Sequence, residues 1–230
     1  LHNAVAGIKA ASGTKYVIVG LPCHIQGFRK LEAIDRKFRD KVLGYFAIYC
    51  SSGRTFYLTE HVFKERGIKK ENLSYFAYRD EGCLGSMVAK QRCSVRDTDS
   101  NTEAILYKGY EVYKERYQSY YHPLRSFFIP RRCLFCIDHY GELGDVCFGD
   151  IHVEPYIQDT IGVNSLVVRK KLWLDWLLEA KKEGCITLDE ISVEILNSSQ
   201  KMSYKKKERN GRFINLNRLL GRVMPVYDVD

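Results

Sequence analysis

The chain has 230 residues, 45% of them hydrophobic, and a formal net charge of +8. It is long enough to bury a core without help from disulfides, and no run approaches the about 18–20 apolar residues that cross a membrane. Eight cysteines in a chain of this size do not suggest a small disulfide scaffold, and since residues 1–10 do not read as a secretory leader, the expected setting is reducing and cytoplasmic.

Residues 16–19 are a short apolar run that stops at Gly20. Pro22 follows, and then Ile25, Phe28, Leu31, Ile34 and Phe38 recur every three or four residues. This predicts strand, tight turn and helix, with Cys23 at the turn. Residues 42–49 are a second apolar run, long enough for a buried strand, and Cys50 ends it. Residues 55–66 read as a helix capped by Gly67. Strand alternating with helix argues for a parallel sheet. Residues 73–79 read as a strand. Segments 86–96 and 102–108 flank the polar cluster 97–101, which predicts a β-hairpin. The tyrosine- and charge-rich segment 110–121 reads as a helix. Pro123 and Pro130 frame a loop that leads to Cys133 and Cys136. Residues 145–151 and 162–169 read as strands. Residues 170–182 read as a helix with Trp173, Trp176 and Leu177 on one face, 185–188 as a further strand, and 200–212 as a polar, basic tail.

Cys133 and Cys136 form a C-x-x-C, half of a four-thiolate metal site. Spacing alone leaves iron–sulfur, zinc and a plain dithiol level. Cys23 and Cys50 each follow a predicted strand. In a parallel sheet both strand ends reach one edge, where α/β folds build sites. Cys23 also opens a helix, whose unpaired N–H groups favour a thiolate; alone it would suit a thiol enzyme. Cys50 alone would suit a buried apolar position. Cys147 is the rival fourth ligand, but its apolar strand pattern favours a structural role. Cys83, Cys93 and Cys185 lack a partner at ligand spacing and read as structural. His24 follows Cys23 and could line the site, whereas His139 and His152 read as ordinary polar residues. The basic charge suits an anionic ligand. Nucleic acid is not expected, because no recognised nucleic-acid motif accompanies that charge.

At these residues the sequence resembles the coenzyme F420 hydrogenase/dehydrogenase beta subunit family, over about residues 17–169. The segment Val-Gly-Leu-Pro-Cys-His-Ile-Gln-Gly-Phe-Arg-Lys at 19–30 is similar to the family's cysteine-bearing turn. Cys50 falls where the family places a second cysteine. The segments at 76–80, 132–138, 144–150 and 161–168 follow in family order. The resemblance implies a flavin and iron–sulfur oxidoreductase subunit. Its [4Fe-4S] ligands map to Cys23, Cys50, Cys133 and Cys136. It would carry FAD and pass electrons to a hydride carrier such as coenzyme F420, another substrate, or a partner protein or subunit. Lys30, Arg79, Arg131 and Arg132 are the candidate partners of cofactor phosphates, and Asp145 and Gly149 of the matched acidic segment complete the candidate cofactor-binding set. His24 replaces the family's usual Gln.

The expected fold is α/β, mixed α+β: strand-helix units around a mostly parallel sheet plus a β-hairpin region, built around the four cysteines. Residues 1–170 would form the oxidoreductase core and 171–230 a helical extension with a basic tail. The family's N-terminal segment, which contributes to the flavin pocket, would lie upstream of Leu1. The reading weighed against this is a zinc-stabilised regulatory or nucleic-acid-binding module without catalysis.

Overall fold

The computed structural model describes residues 2–80, 85–92, 105–107, 110–124, 126–159 and 161–227. The chain divides into two compact units. The first comprises residues 1–51, 134–151 and 164–230, and the second residues 52–133 and 152–163.

The first unit is built on strand-helix-strand. Helix α1 (His2–Ala10) precedes β1 (Tyr16–Gly20), α2 (Pro22–Ile34), the single turn α3 (Arg36–Arg39) and β2 (Val42–Ile48). The chain returns as β7 (Val146–Asp150) and β8 (Asn164–Val168), giving the sheet order β1-β2-β7-β8. β1 and β2 are parallel, β2 and β7 are parallel, and β8 runs antiparallel at the edge. The mostly parallel sheet expected from strand-helix alternation is therefore present. Ile18, Ile25, Phe28, Phe38, Tyr45, Ala47 and Cys147 form its buried core. The apolar period of α2 has its physical basis here, since Ile25 and Phe28 face the strands.

Helices α6 (Lys171–Lys182), α7 (Val193–Ser199) and α8 (Met202–Leu219) complete the unit. Trp173 lies against Phe46 with ring centroids 4.9 Å apart, and it is buried, whereas Trp176 is exposed. Gly44 permits this packing: a Cβ there would stand 2.5 Å from Trp173 Cζ2.

The second unit packs α4 (Phe56–Glu65) and α5 (Tyr117–Leu124) with an antiparallel sheet. Its strands are β3 (Leu73–Asp80), β4 (Ser86–Arg92), β5 (Ile105–Tyr107) and β6 (Tyr110–Arg116), in the order β3-β4-β6-β5. Leu58, Val62, Met87 and Tyr120 form one core cluster, and Phe63, Ile68 and Ala89 another. Gly67 ends α4 at φ 64°, as its capping role requires.

Three expectations need correction. Segment 110–116 is strand rather than helix. It pairs with β4 along its full length, from Ser86↔Arg116 to Arg92↔Tyr110, and with β5 on its other side. Pairing on both edges outweighs local composition, and the helix begins only at Tyr117. The partner of β4 is accordingly β6, not the 102–108 segment; the turn cluster 97–101, like Cys83 and Cys93, lies outside the described residues. Residues 185–188 form no strand, and Cys185 is exposed just after Gly184 turns the chain at φ 74°. The polar, basic segment 200–212, for which no separate element is expected, lies largely in the 18-residue helix α8. Its buried positions Lys206, Asn210, Ile214 and Asn217 repeat with helical spacing, but three of the four are polar, so a search for apolar periodicity passes over them.

Candidate functional site

Cys23 occupies the second position of α2, directly after Pro22. Proline fits there because the first-turn N–H groups have no intrahelical partner. The Leu21 N–H donates to His24 Nδ1 at 3.4 Å, the reach-back half of a capping box. His24 thus serves the helix start.

Cys50 occupies the matching place on the neighbouring strand. Gly20 of β1 pairs with Ala47 of β2, and each cysteine lies three residues beyond its paired position. Parallel register therefore carries both to the C-terminal edge of the sheet. The chain at Cys50 is tied to the segment after the C-x-x-C. Its N–H donates to the His139 carbonyl at 2.9 Å. Lys206 Nζ donates to the carbonyls of Cys50 at 2.8 Å and of Asp138 at 2.6 Å.

Cys136 is buried, and its thiol donates to the Asp138 carbonyl at 3.5 Å. Its own carbonyl accepts from Asn210 Nδ2 at 2.7 Å. The buried Asp138 carboxylate shapes the following turn by accepting from the Gly141 and Glu142 N–H groups at 2.7 and 3.1 Å. His139 Nε2 meets Gln200 Oε1 at 3.0 Å, and Gln200 Nε2 donates to the Asp150 carbonyl at the end of β7. Lys206, Asn210 and Gln200 escaped sequence reading because polar side chains on a basic segment give no burial signal.

Cys133 belongs to the second unit. The Gly53 N–H donates to its sulfur at 3.3 Å, and a Cβ on Gly53 would stand 3.6 Å from that sulfur. N–H···S bonds of this kind stabilise thiolates and tune iron–sulfur ligands. The surroundings of the Cys133 sulfur thus suit a metal-bound thiolate chemically. Among the described residues, no three His, Cys, Asp or Glu side chains are gathered into a metal-ready group.

Cys147 is fully buried in β7. Its thiol donates to the Gly141 carbonyl at 3.0 Å and accepts from Arg169 Nη1 at 2.7 Å. A Cβ on Gly144 would lie 2.8 Å from this sulfur. Burial pushes the Cys147 thiol up despite the adjacent Arg169, which favours the protonated, packed form.

Of the candidate cofactor partners, Lys30 is exposed on α2, Asp145 directly precedes β7 and Gly149 lies within it, all in the first unit. Arg79, Arg131 and Arg132 are exposed in the second unit. Asp145 is buried and heavily engaged. Its Oδ1 takes Arg29 Nη2 at 2.7 Å and Lys170 Nζ at 2.8 Å, and its Oδ2 accepts the Tyr45 N–H at 2.8 Å. Gly149 lies under Tyr49, where a Cβ would come within 1.9 Å of the ring. Among the described residues, no helix is long and apolar enough to cross a membrane.

The architecture defines an α/β chain with paired strand-end cysteines at one sheet edge and an antiparallel sheet in a second unit. The chain belongs to the family formed by the C terminus of the coenzyme F420 hydrogenase/dehydrogenase beta subunit, which matches residues 13–194. It is similar to the coenzyme F420 hydrogenase subunit beta of Methanococcus voltae, with 24% identity over 215 residues. The match covers 92% of this chain and 66% of that subunit, just under two thirds of its length. A chain of the F420-reducing [NiFe] hydrogenase complex from Methanosarcina barkeri shares the fold. It has a TM-score of 0.62 and 13% identity, over 94% of this chain and 67% of that one.

Proposed function

We propose that this chain is part of an iron–sulfur flavoprotein oxidoreductase subunit that exchanges electrons with a hydride carrier such as coenzyme F420 or another substrate, and with a partner subunit. In this reading Cys23, Cys50, Cys133 and Cys136 ligate a [4Fe-4S] cluster, residues 1–170 form the core and 171–230 a helical extension. The observation that carries it is the matched placement of Cys23 and Cys50, each three residues beyond a paired position of parallel strands. Family membership supports the oxidoreductase class. The relative's name supplies coenzyme F420 and, with the hydrogenase complex, the idea of a partner subunit. A zinc module is the less favoured reading, because the chain belongs to a family of hydrogenase and dehydrogenase subunits.

FAD would supply two-electron hydride chemistry and the cluster one-electron steps, so that together they convert between the two. The chain's own residues bind and orient. The first turn of α2 sets the positive end of that helix at Cys23. Gly53 donates to the Cys133 sulfur. Lys30, Arg79, Arg131 and Arg132 are the proposed holders of cofactor phosphates, since cationic donors match phosphate oxygens. Asp145 serves by fixing β2 and α2 in place, and Gly149 by admitting Tyr49.

The test is iron and sulfide content of anaerobically purified protein, with visible absorbance. The expected result is brown protein in which Cys50→Ala loses iron and Cys147→Ala keeps it. Colourless protein holding stoichiometric zinc refutes the cluster, and loss of iron from Cys147→Ala but not from Cys50→Ala refutes the ligand assignment.

A further inference from the structure

The Lys206 side chain is only 3% exposed. A lysine so deeply buried ordinarily sits against a carboxylate, because an uncompensated ammonium in a low-dielectric interior is costly. Its Nζ instead donates to two backbone carbonyls, those of Cys50 and Asp138. Among the described residues no carboxylate lies within 4.0 Å of it. The Asp138 carboxylate faces the Gly141 and Glu142 N–H groups, and Glu142 itself pairs with Lys207, the next residue of α8. Carbonyl dipoles satisfy the hydrogen bonds of Nζ without supplying a countercharge.

The neighbours of Nζ are the backbone of the cysteine segments. One carbonyl held by Nζ belongs to Cys50. The other belongs to Asp138 and also accepts the thiol of Cys136. One turn along α8, Asn210 holds the carbonyl of Cys136. The buried stripe of α8 thus grips the backbone at two of the proposed ligands. A thiolate-bound cluster carries net negative charge, and its reduction adds more. A fixed positive charge beside it favours the reduced state.

We propose that Lys206 is a positioning residue of the cysteine site: it holds the Cys50 and Asp138 carbonyls together and supplies a positive charge that partly offsets the negative charge of the bound cluster and raises its reduction potential. The inference rests on the cluster reading above. It assigns a role to a segment beyond residue 194, where the family match ends.

The experiment uses the full chain, reconstituted anaerobically with iron and sulfide. Wild type is compared with the neutral Lys206→Met and Lys206→Gln variants and with Lys206→Arg, which keeps the charge. Iron per chain, melting of the iron-free protein and the midpoint of a spectroscopic redox titration are read together. Neutral variants should hold iron, and at the wild-type midpoint their ratio of reduced to oxidised cluster should fall about tenfold, or about 59 mV for one electron. Lys206→Arg should stay within about twofold of wild type. Iron loss from folded neutral variants, with iron retained by Lys206→Arg, supports the same role. An unchanged midpoint in the neutral variants, or an Arg variant shifted as far as the Met variant, overturns it. So does iron loss from all the variants. Neutral variants that cannot fold even without iron would reduce Lys206 to a fold element. Wild-type protein that takes up no iron instead removes the cluster reading itself, and this role with it.

Discussion

Asp145→Ala should destabilise the first unit more than Asp145→Asn does. In the native chain the Asp145 carboxylate answers three donors on three elements: the Tyr45 N–H of β2, Arg29 of α2, and Lys170 just before α6. Alanine leaves the buried Tyr45 N–H without an acceptor, at about 1–3 kcal/mol, and removes a charge-assisted bond to Arg29 worth about 1.5–3 kcal/mol. Arg29 retains Glu32 at 3.0 Å and the Leu143 carbonyl at 3.1 Å, which limits that second loss. The Lys170 side chain is 52% exposed, so its share is about 0–1 kcal/mol. The total is about 3–5 kcal/mol for alanine. Asparagine keeps an oxygen for Tyr45 and should cost about 1.5–3 kcal/mol. For a chain of this length these correspond to melting shifts of about 6–20 °C and about 3–12 °C. Both tryptophans lie on α6, and Trp173 packs on Phe46 of β2, so tryptophan fluorescence during urea unfolding reports this unit. Equal losses in the two variants would refute the role given to the Tyr45 N–H. A loss under about 1 kcal/mol in Asp145→Ala would refute the whole account.

Gly149→Ala should cost about 1–3 kcal/mol, because the added methyl meets the Tyr49 ring and one of them must move; chemical unfolding with an unchanged denaturant slope checks it. The second unit should weaken in acid through Glu115. Burial alone would raise its carboxyl, but the Arg66 guanidinium at 3.0 Å and the Tyr113 hydroxyl hold it below its ordinary value of 4.5. Its contribution is therefore complete above about pH 4.5 and disappears as pH falls through the lower folded value. Glu115→Gln should flatten the stability profile below pH 4.5, as followed by far-UV circular dichroism, and an unchanged acid limb would refute the linkage.

Much of the first unit was readable because its signals are local. The apolar runs ending at Gly20 and before Cys50, the three-to-four spacing from Ile25 to Leu31 and the proline before Cys23 each constrain the chain within a few residues. The reading failed where structure depends on distant partners. Segment 110–116 is strand because β4 and β5 take both its edges, a fact its own composition does not encode. The cysteine edge was only half legible. Strand ends predicted the placement of Cys23 and Cys50, whereas the carbonyls that Lys206 and Asn210 seek lie 156 and 74 residues away in sequence.

The polar stripe of α8 also dictates an order of assembly. An apolar helix face tolerates small slips along its groove, because one methyl contact replaces another. A helix whose buried side chains must each find a particular carbonyl has a single acceptable register, and a displacement of one turn would strand an ammonium and an amide in the interior. The Cys50, Cys136 and Asp138 carbonyls must first be brought side by side by β2 and the turn after Cys136. Docking of α8 should therefore follow formation of β2 and that turn, and limited proteolysis should release the helix before it cuts the sheet.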